Sequence, residues 1–365
     1  MELPVSASVA CVVALTAMSA FGAALFEDVH AVKWKKGTHG YRGANGDFVA
    51  LKDGSVLMAY THNNSIVAKK SADKGKTWSR QSTLVPAPKA PARGRYCHPS
   101  FLRLKNGDIL LAYIYSSGSK PYFGHNYVRR SADEGKTWTE QFVMTPHPGY
   151  VIMHNDRLFT LASGRIVGIA EYKAHMPSSH DHSGYVGIAF FSDDNGHSWQ
   201  VSRNTVDLYA EKRIEVQEAD GVELKDGRVL MFARSYSGHP VFAWSKDGCE
   251  TWSKGRMIKK LRMPYAGMPT VRRIPSTGDL LFIWIDERSQ DKDNPRIRRR
   301  CGLASAISKD EGKTFVHHRH IAHDPDDDFG YQGVEFLGNK LALVSYHARD
   351  GLHVARIGID WFYGK

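Results

Sequence analysis

Cysteine is scarce in this chain. The 365 residues hold four, and Cys11 lies in an apolar N-terminal stretch, which leaves Cys97, Cys249 and Cys301 to a folded domain. Three scattered thiols make neither a disulfide framework nor a zinc site. Long helical periodicity is missing as well. The apolar runs are short, rich in β-branched and aromatic residues, and bounded by turn residues, which argues against a helical protein. No helix-turn-helix, zinc-knuckle or basic-helix pattern is present, so nucleic acid is not the expected partner despite a formal charge of +11. That charge favours other anions.

Charged residues are absent from Val5 to Phe26, a run rich in Ala, Val, Ser and Thr. It reads as an export signal, with Ala20-Phe21-Gly22 or Gly22-Ala23-Ala24 as the small-residue cleavage site. A basic n-region is missing, since only Glu2 is charged there, so an uncleaved anchor is the alternative. We take residues 1–24 as the signal and residues 25–365 as one domain. The expected location is secreted or periplasmic, with no stable membrane insertion after cleavage.

What the chain does have is repetition. The phrase Ser-x-Asp-x-Gly-x-Thr-Trp, or a close variant, starts at Ser71, Ser131, Ser192, Ser245 and Ser308. A recurrence of about 60 residues marks one supersecondary unit copied round a closed or stacked architecture. Each phrase makes sense as a tight turn: the Ser hydroxyl and Asp carboxylate accept backbone N–H groups, Gly takes a positive φ, and the aromatic packs beneath. One copy departs, with Cys249 at the Gly position and Gly248 displaced by one.

A second repeat is interleaved with the first. Strand-like runs meet at hairpins carrying Gly54, Gly107, Gly164, Gly227, Gly278 and Gly338. Six such hairpins predict an all-β, six-bladed β-propeller of four-stranded blades, with the segment around Ala31 to Lys35 fastening the last blade. Positions equally far before and after a hairpin turn lie at the same end of a blade. Ahead of the glycines stand Asp47, His98, Asp156 with Arg157, Glu218 with Asp220, and Tyr331. After them stand His62, Tyr113, Tyr115, Glu171, Arg234, Asp286 and His347. Ionisable groups from every blade therefore face one rim, the natural pocket of a propeller.

The turn phrases, the blade count and these rim residues together resemble the sialidase (neuraminidase) family with its Asp-box repeats, over nearly all of the chain after the signal. The resemblance implies a tyrosine nucleophile in the last blade, matched by Tyr331 in GYQGVEFLGNKLALVSYH, and a glutamate matched by Glu218 in EADGVELKDG. It implies three arginines. Arg234 matches one; Arg300 matches another, with Arg298 and Arg299 as competitors; Arg42, without the usual Ile-Pro, stands for the first. Arg273-Ile274-Pro275 spells the missing tripeptide but sits against a hairpin turn, and we read it as structural.

The chemistry fits these residue types. A sialic acid carries a carboxylate on its anomeric carbon, which repels a carboxylate nucleophile; a neutral tyrosine avoids this. A phenol titrates near ~10 and needs an adjacent base, here Glu218, while arginines bind the substrate carboxylate with charge-assisted bonds. The departure is the general acid. The blade-one segment THNNSIVAKK, where the resemblance leads one to expect an aspartate, holds none. Asp47, Asp156 and His62 are the candidates; Arg157 and His98 are further candidates for substrate contact. No cofactor or metal is expected. The partner is an acidic glycan or sialoglycoconjugate. Two rivals stay open, a hydrolase or lyase acting on uronic-acid polysaccharides and a non-catalytic carbohydrate-binding propeller. The His317–His320 run with His323, and His175, His180 and His182 in a long insertion, read as strand and loop residues. The Asp326–Asp328 run offers oxygen ligands, but its spacing is not diagnostic of calcium.

Overall fold

In the computed structural model the described residues are 25–35, 45–89, 93–144, 147–176, 181, 183–264, 267–290 and 298–365. They form an all-β, propeller-like ring of up-and-down antiparallel units. The first sheet runs Gly46–Ala50, Val56–His62, Ser65–Ser71 and Ser82–Val85, from axis to periphery. Two further four-stranded sheets begin on the inner strands Gln217–Glu223 and Thr270–Arg273. In the last sheet the inner strand is Gly330–Leu337. Its outer strand comes from the other end of the chain, because Phe26–Lys33 pairs antiparallel with Gly351–Gly358. The Ala31–Lys35 expectation was thus close, and strand exchange between the two chain ends ties the ring shut.

The expectation of six separate four-stranded blades needs correction. Four stand alone, and the remaining two turn-phrase units share one nine-stranded sheet. The reason is local. The inner strand of the third unit is broken into Tyr150–Ile152 and Leu158–Thr160, and Tyr150 pairs parallel with Gly124 of the unit before it. Gly124 permits this approach, since a Cβ there would stand 3.0 Å from the Val151 carbonyl oxygen.

Apolar side chains face the neighbouring sheets. Leu230, Phe232 and Phe242 pack on Leu280 and Phe282, and Ile283 and Leu303 pack on Val344 and Ala355. The alternation of side chains along each strand gives every blade two such faces, which is why its strands read as near-continuous apolar runs.

The five turn phrases behave as expected. In the first, Gly75 N donates to Ser71 Oγ at 2.8 Å, and Thr77 N and Oγ1 donate to the two Asp73 oxygens at 2.9 and 2.6 Å. In the second, hydrogen bonds from Thr137 hold the Asp133 carboxyl down to about 2. The departing copy keeps the geometry: Cys249 takes φ 75° and its N–H still reaches Ser245 Oγ at 2.8 Å. Arg273 is structural, as read. It donates to both Glu311 oxygens and to the Gly278 and Glu223 carbonyls.

Candidate active site

Three inner strands carry a bulge at the same place. Pairing slips between Cys97 and Ser100, between Gln217 and Asp220, and between Gly330 and Gly333. The first or second residue past each slip adopts a left-handed conformation: His98 (φ 56°), Glu218 (φ 48°) and Tyr331 (φ 53°). Bulges re-aim side chains, and strain of this kind persists only where the surroundings hold it. Here they do. Asn155 Nδ2 donates to the Tyr331 carbonyl at 2.9 Å, and Gln332 Nε2 donates to the Met268 carbonyl at 2.6 Å. The Glu218 N–H donates to Glu171 Oε2 at 2.8 Å.

These bulges bring together residues that lie far apart in the chain. The Tyr331 hydroxyl donates to Glu218 Oε1 at 3.2 Å, and Glu218 Oε2 lies 3.2 Å from Arg234 Nε. Arg300 stands with its guanidinium carbon 5.2 Å from the Tyr331 ring centre. Asp328 holds it there, accepting from Arg300 N and Nε at 3.0 and 2.9 Å. Gly330 makes room, because a Cβ would come within 2.9 Å of Arg300 Nη1. Burial opposes the charge on both arginines, but Glu218 beside Arg234 and Asp328 beside Arg300 hold each guanidinium above its ordinary value.

Arg234 is 3 % exposed. Its Nη2 donates to Gln217 Oε1 at 2.8 Å, whereas its Nη1 has no hydrogen-bond partner among the described residues. Buried donors are nearly always satisfied, so this one is placed for an acceptor supplied from outside.

A layer of inward-pointing polar side chains at the axis takes up several other candidates. Asp47 accepts from Phe101 N at 2.6 Å, Asp156 from Val334 N at 2.8 Å and Asp220 from Val271 N at 2.9 Å. Each carboxylate thus clasps the inner strand of another unit. Arg272 bridges Asp156 and Asp220. Arg157 is fully buried and donates to the Pro269 carbonyl at 2.7 Å. Burial, with Asp156 nearby, raises the Asp47 carboxyl well above the usual range. Asp47 and Asp156 line a cavity of about 500 Å³ that opens among Ala50, Arg103, Thr160 and Phe336, at the hairpin end. The structure therefore corrects three readings: Asp47, Asp156 and Arg157 are axial clasps.

His62 ends the strand Val56–His62 beside Asn63, with Asn63 Nδ2 3.2 Å from its Nε2. Arg42 lies outside the described residues, as do His180 and His182. The acidic run before Tyr331 is occupied: Asp328 grips Arg300, and Asp327 Oδ1 accepts from Arg349 N at 2.7 Å. His318 and His320 pair with Asp286, and His323 with Glu287.

One neighbour of Tyr331 escaped the sequence reading. The His98 and His154 rings lie 5.6 and 5.8 Å from the Tyr331 ring and 4.5 Å from each other. His154 Nε2 is 3.5 Å from Glu171 Oε1. A signal was available, since His154 stands two residues before Asp156 just as Glu218 stands two before Asp220.

A phenol on a carboxylate, flanked by buried guanidinium groups on the inner strands of a propeller-like ring, fits a sialidase-like protein. The model of the BNR repeat-like domain matches residues 65–335, and the chain belongs to that family. It is 26 % identical over 372 residues to a sialidase from Micromonospora viridifaciens, across 92 % of this chain and 54 % of that protein. The chain thus spans about half the length of that relative. Among solved structures it resembles a protein of unknown function from Dyadobacter fermentans (TM-score 0.68, 20 % identity, 91 % of this chain and 98 % of that one). It also resembles the NanB sialidase from Streptococcus pneumoniae (TM-score 0.66, 16 % identity, 90 % and 70 %). Both likenesses speak to the fold.

Proposed function

We propose that this protein is an exo-glycoside hydrolase of the sialidase type, secreted or periplasmic, which releases a terminal sialic acid or related acidic sugar from glycans. Tyr331 attacks the anomeric carbon and Glu218 takes its proton. Arg234 and Arg300 hold the substrate carboxylate, with Arg42 as the third cation. In this reading the nine-stranded sheet counts as two fused blades, six in all.

The observation that carries the proposal is the buried Arg234 Nη1, without an acceptor among the described residues and on the guanidinium that contacts the base of the Tyr331–Glu218 pair. A planar, permanently charged donor suits a carboxylate. The 3.2 Å hydrogen bond lets the phenol lose its proton as the bond to carbon forms, while the substrate stays clear of a negatively charged nucleophile. The Micromonospora relative, a sialidase, agrees with this reading.

The test is a panel of sialosides and uronides assayed for both released sialic acid and an unsaturated uronide. Release of sialic acid that disappears in Tyr331→Phe supports the proposal. One observation favours a second reading: two histidine rings lie against Tyr331. Such a set also suits proton abstraction beside a uronate carboxylate, and accumulation of the unsaturated product decides for a lyase. Binding without either product leaves a carbohydrate-binding propeller.

A further inference from the structure

The search for a proton donor leads away from the carboxylates. Asp47 and Asp156 spend their oxygens on backbone N–H groups and Arg272, and they line the cavity at the hairpin end. Glu218 is engaged by Tyr331 and Arg234. Among the described residues, imidazole rings lie against the tyrosine. His98 is 9 % exposed, left-handed at its bulge, and anchored by its own N–H on Thr61 Oγ1 at 3.2 Å. Its ring meets His154 edge-on, at 71° between planes. His154 is 5 % exposed and has Glu171 behind it. Glu171 in turn accepts from the backbone of Glu218, so one carboxylate orients both halves of the site.

We propose that His98 is the general acid of this site, with His154 and Glu171 as positioning residues that keep its ring oriented. This rests on the glycosidase reading above. In the first step the Tyr331 oxygen bonds to the anomeric carbon and its proton passes to Glu218. The glycosidic C–O bond breaks, its electron pair goes to the departing oxygen, and the His98 imidazolium protonates that oxygen. In the second step water gives a proton to the now neutral His98 as it bonds to the anomeric carbon. The bond from carbon to Tyr331 breaks, and the phenolic oxygen recovers its proton from Glu218. The sum is glycoside plus water giving sugar plus alcohol.

Among the described residues, Tyr331 and His154 face His98, with Glu171 behind the latter; Arg95 lies on the same strand and within electrostatic reach of Tyr331. Histidine is the side chain whose ordinary titration range suits proton donation near neutral pH.

Leaving-group dependence tests the assignment. Full-length protein and its His98→Asn variant are compared on 3′-sialyllactose, whose leaving alcohol needs a proton, and on a 4-nitrophenyl sialoside, whose phenolate leaves without one. Asn tolerates the left-handed backbone, and circular dichroism checks the fold. The expected result is a loss of at least about a hundredfold on sialyllactose against less than about tenfold on the aryl sialoside. Tyr331→Phe loses both. In Glu171→Gln the alkaline limb of kcat/KM for sialyllactose should move to lower pH, because the imidazolium loses its stabilising charge; the aryl substrate should show no such move. Equal losses on both substrates with the fold intact, or no loss on sialyllactose, overturn the assignment while leaving the glycosidase reading in place. Wild-type protein that cleaves neither substrate overturns that reading, and the assignment with it.

Discussion

The axis of this molecule holds two sets of buried charge that look alike in sequence and act differently in space. Both come from the inner strands and both mix carboxylates with arginine. In the set nearer the hairpin turns, Asp47, Asp156 and Asp220 each bind the backbone of another inner strand, and Arg272 neutralises two of them. In the other set, Glu218 meets a phenol and a guanidinium, and Arg234 keeps one N–H group with no acceptor among the described residues. Burial and charge do not separate scaffold from site. The separating question is what each oxygen or N–H is spent on, backbone or a partner yet to arrive.

The sharpest way to break this comparison is Tyr331→Phe. It should lower kcat by on the order of a thousandfold or more while moving the melting temperature by less than about 2 °C. A large stability loss with activity retained would put Tyr331 among the clasps. Asp220→Ala is the mirror experiment. It strands the Val271 N–H and takes one of the two carboxylates from Arg272, and should cost about 3–5 kcal/mol in urea denaturation. If it instead abolished turnover in a fully stable protein, the carboxylate layer would be catalytic.

Arg234→Lys should raise KM roughly tenfold or more, because an ammonium cannot reproduce the planar fork, with little change in stability. Glu335, whose carboxyl burial raises to about 7 beside Asp156, sharpens the picture of the hairpin end. A carboxyl raised in the folded state binds its proton more tightly folded than unfolded. Its effect therefore favours folding increasingly as pH falls from about 7 toward the ordinary value near 4.5. Glu335→Gln should accordingly stabilise by about 1 kcal/mol or more at pH 8, with the gain shrinking as pH falls and vanishing only below about 4.5, as read by denaturation at pH 8 and at about pH 4. The smallest effect belongs to the turns. Asp73→Ala should lower the melting temperature by only ~2–4 °C and leave kcat unchanged.

Much of the site was legible. Hairpin spacing put Tyr331, Glu218 and Arg234 at one rim, the family resemblance singled them out and added Arg300, and the structure brings the four together. The turn phrases were legible because their hydrogen bonds close within a few residues, Ser71 to Gly75 and Asp73 to Thr77. Asp47 and Asp156 misled because hairpin spacing reports only which end of a strand a residue occupies. It does not report that the partner of Asp47 is Phe101 in the next unit, or that Val334 lies opposite Asp156. His154 was overlooked because the third inner strand is broken and its phase departs from the others, with Asp156 rather than His154 in the left-handed conformation.

The sequence by itself determined the repeated unit, since turn chemistry and strand alternation act over short stretches of chain and are written into each copy. It also determined which residue types reach the axis. Only the tertiary structure decided how those residues are used, because the competition between a backbone N–H and a side chain for one carboxylate is settled by distances between strands from different blades. It likewise decided that Tyr150 crosses to Gly124 and merges two units into one sheet, a choice that rests on a single close approach and on no local signal in the chain.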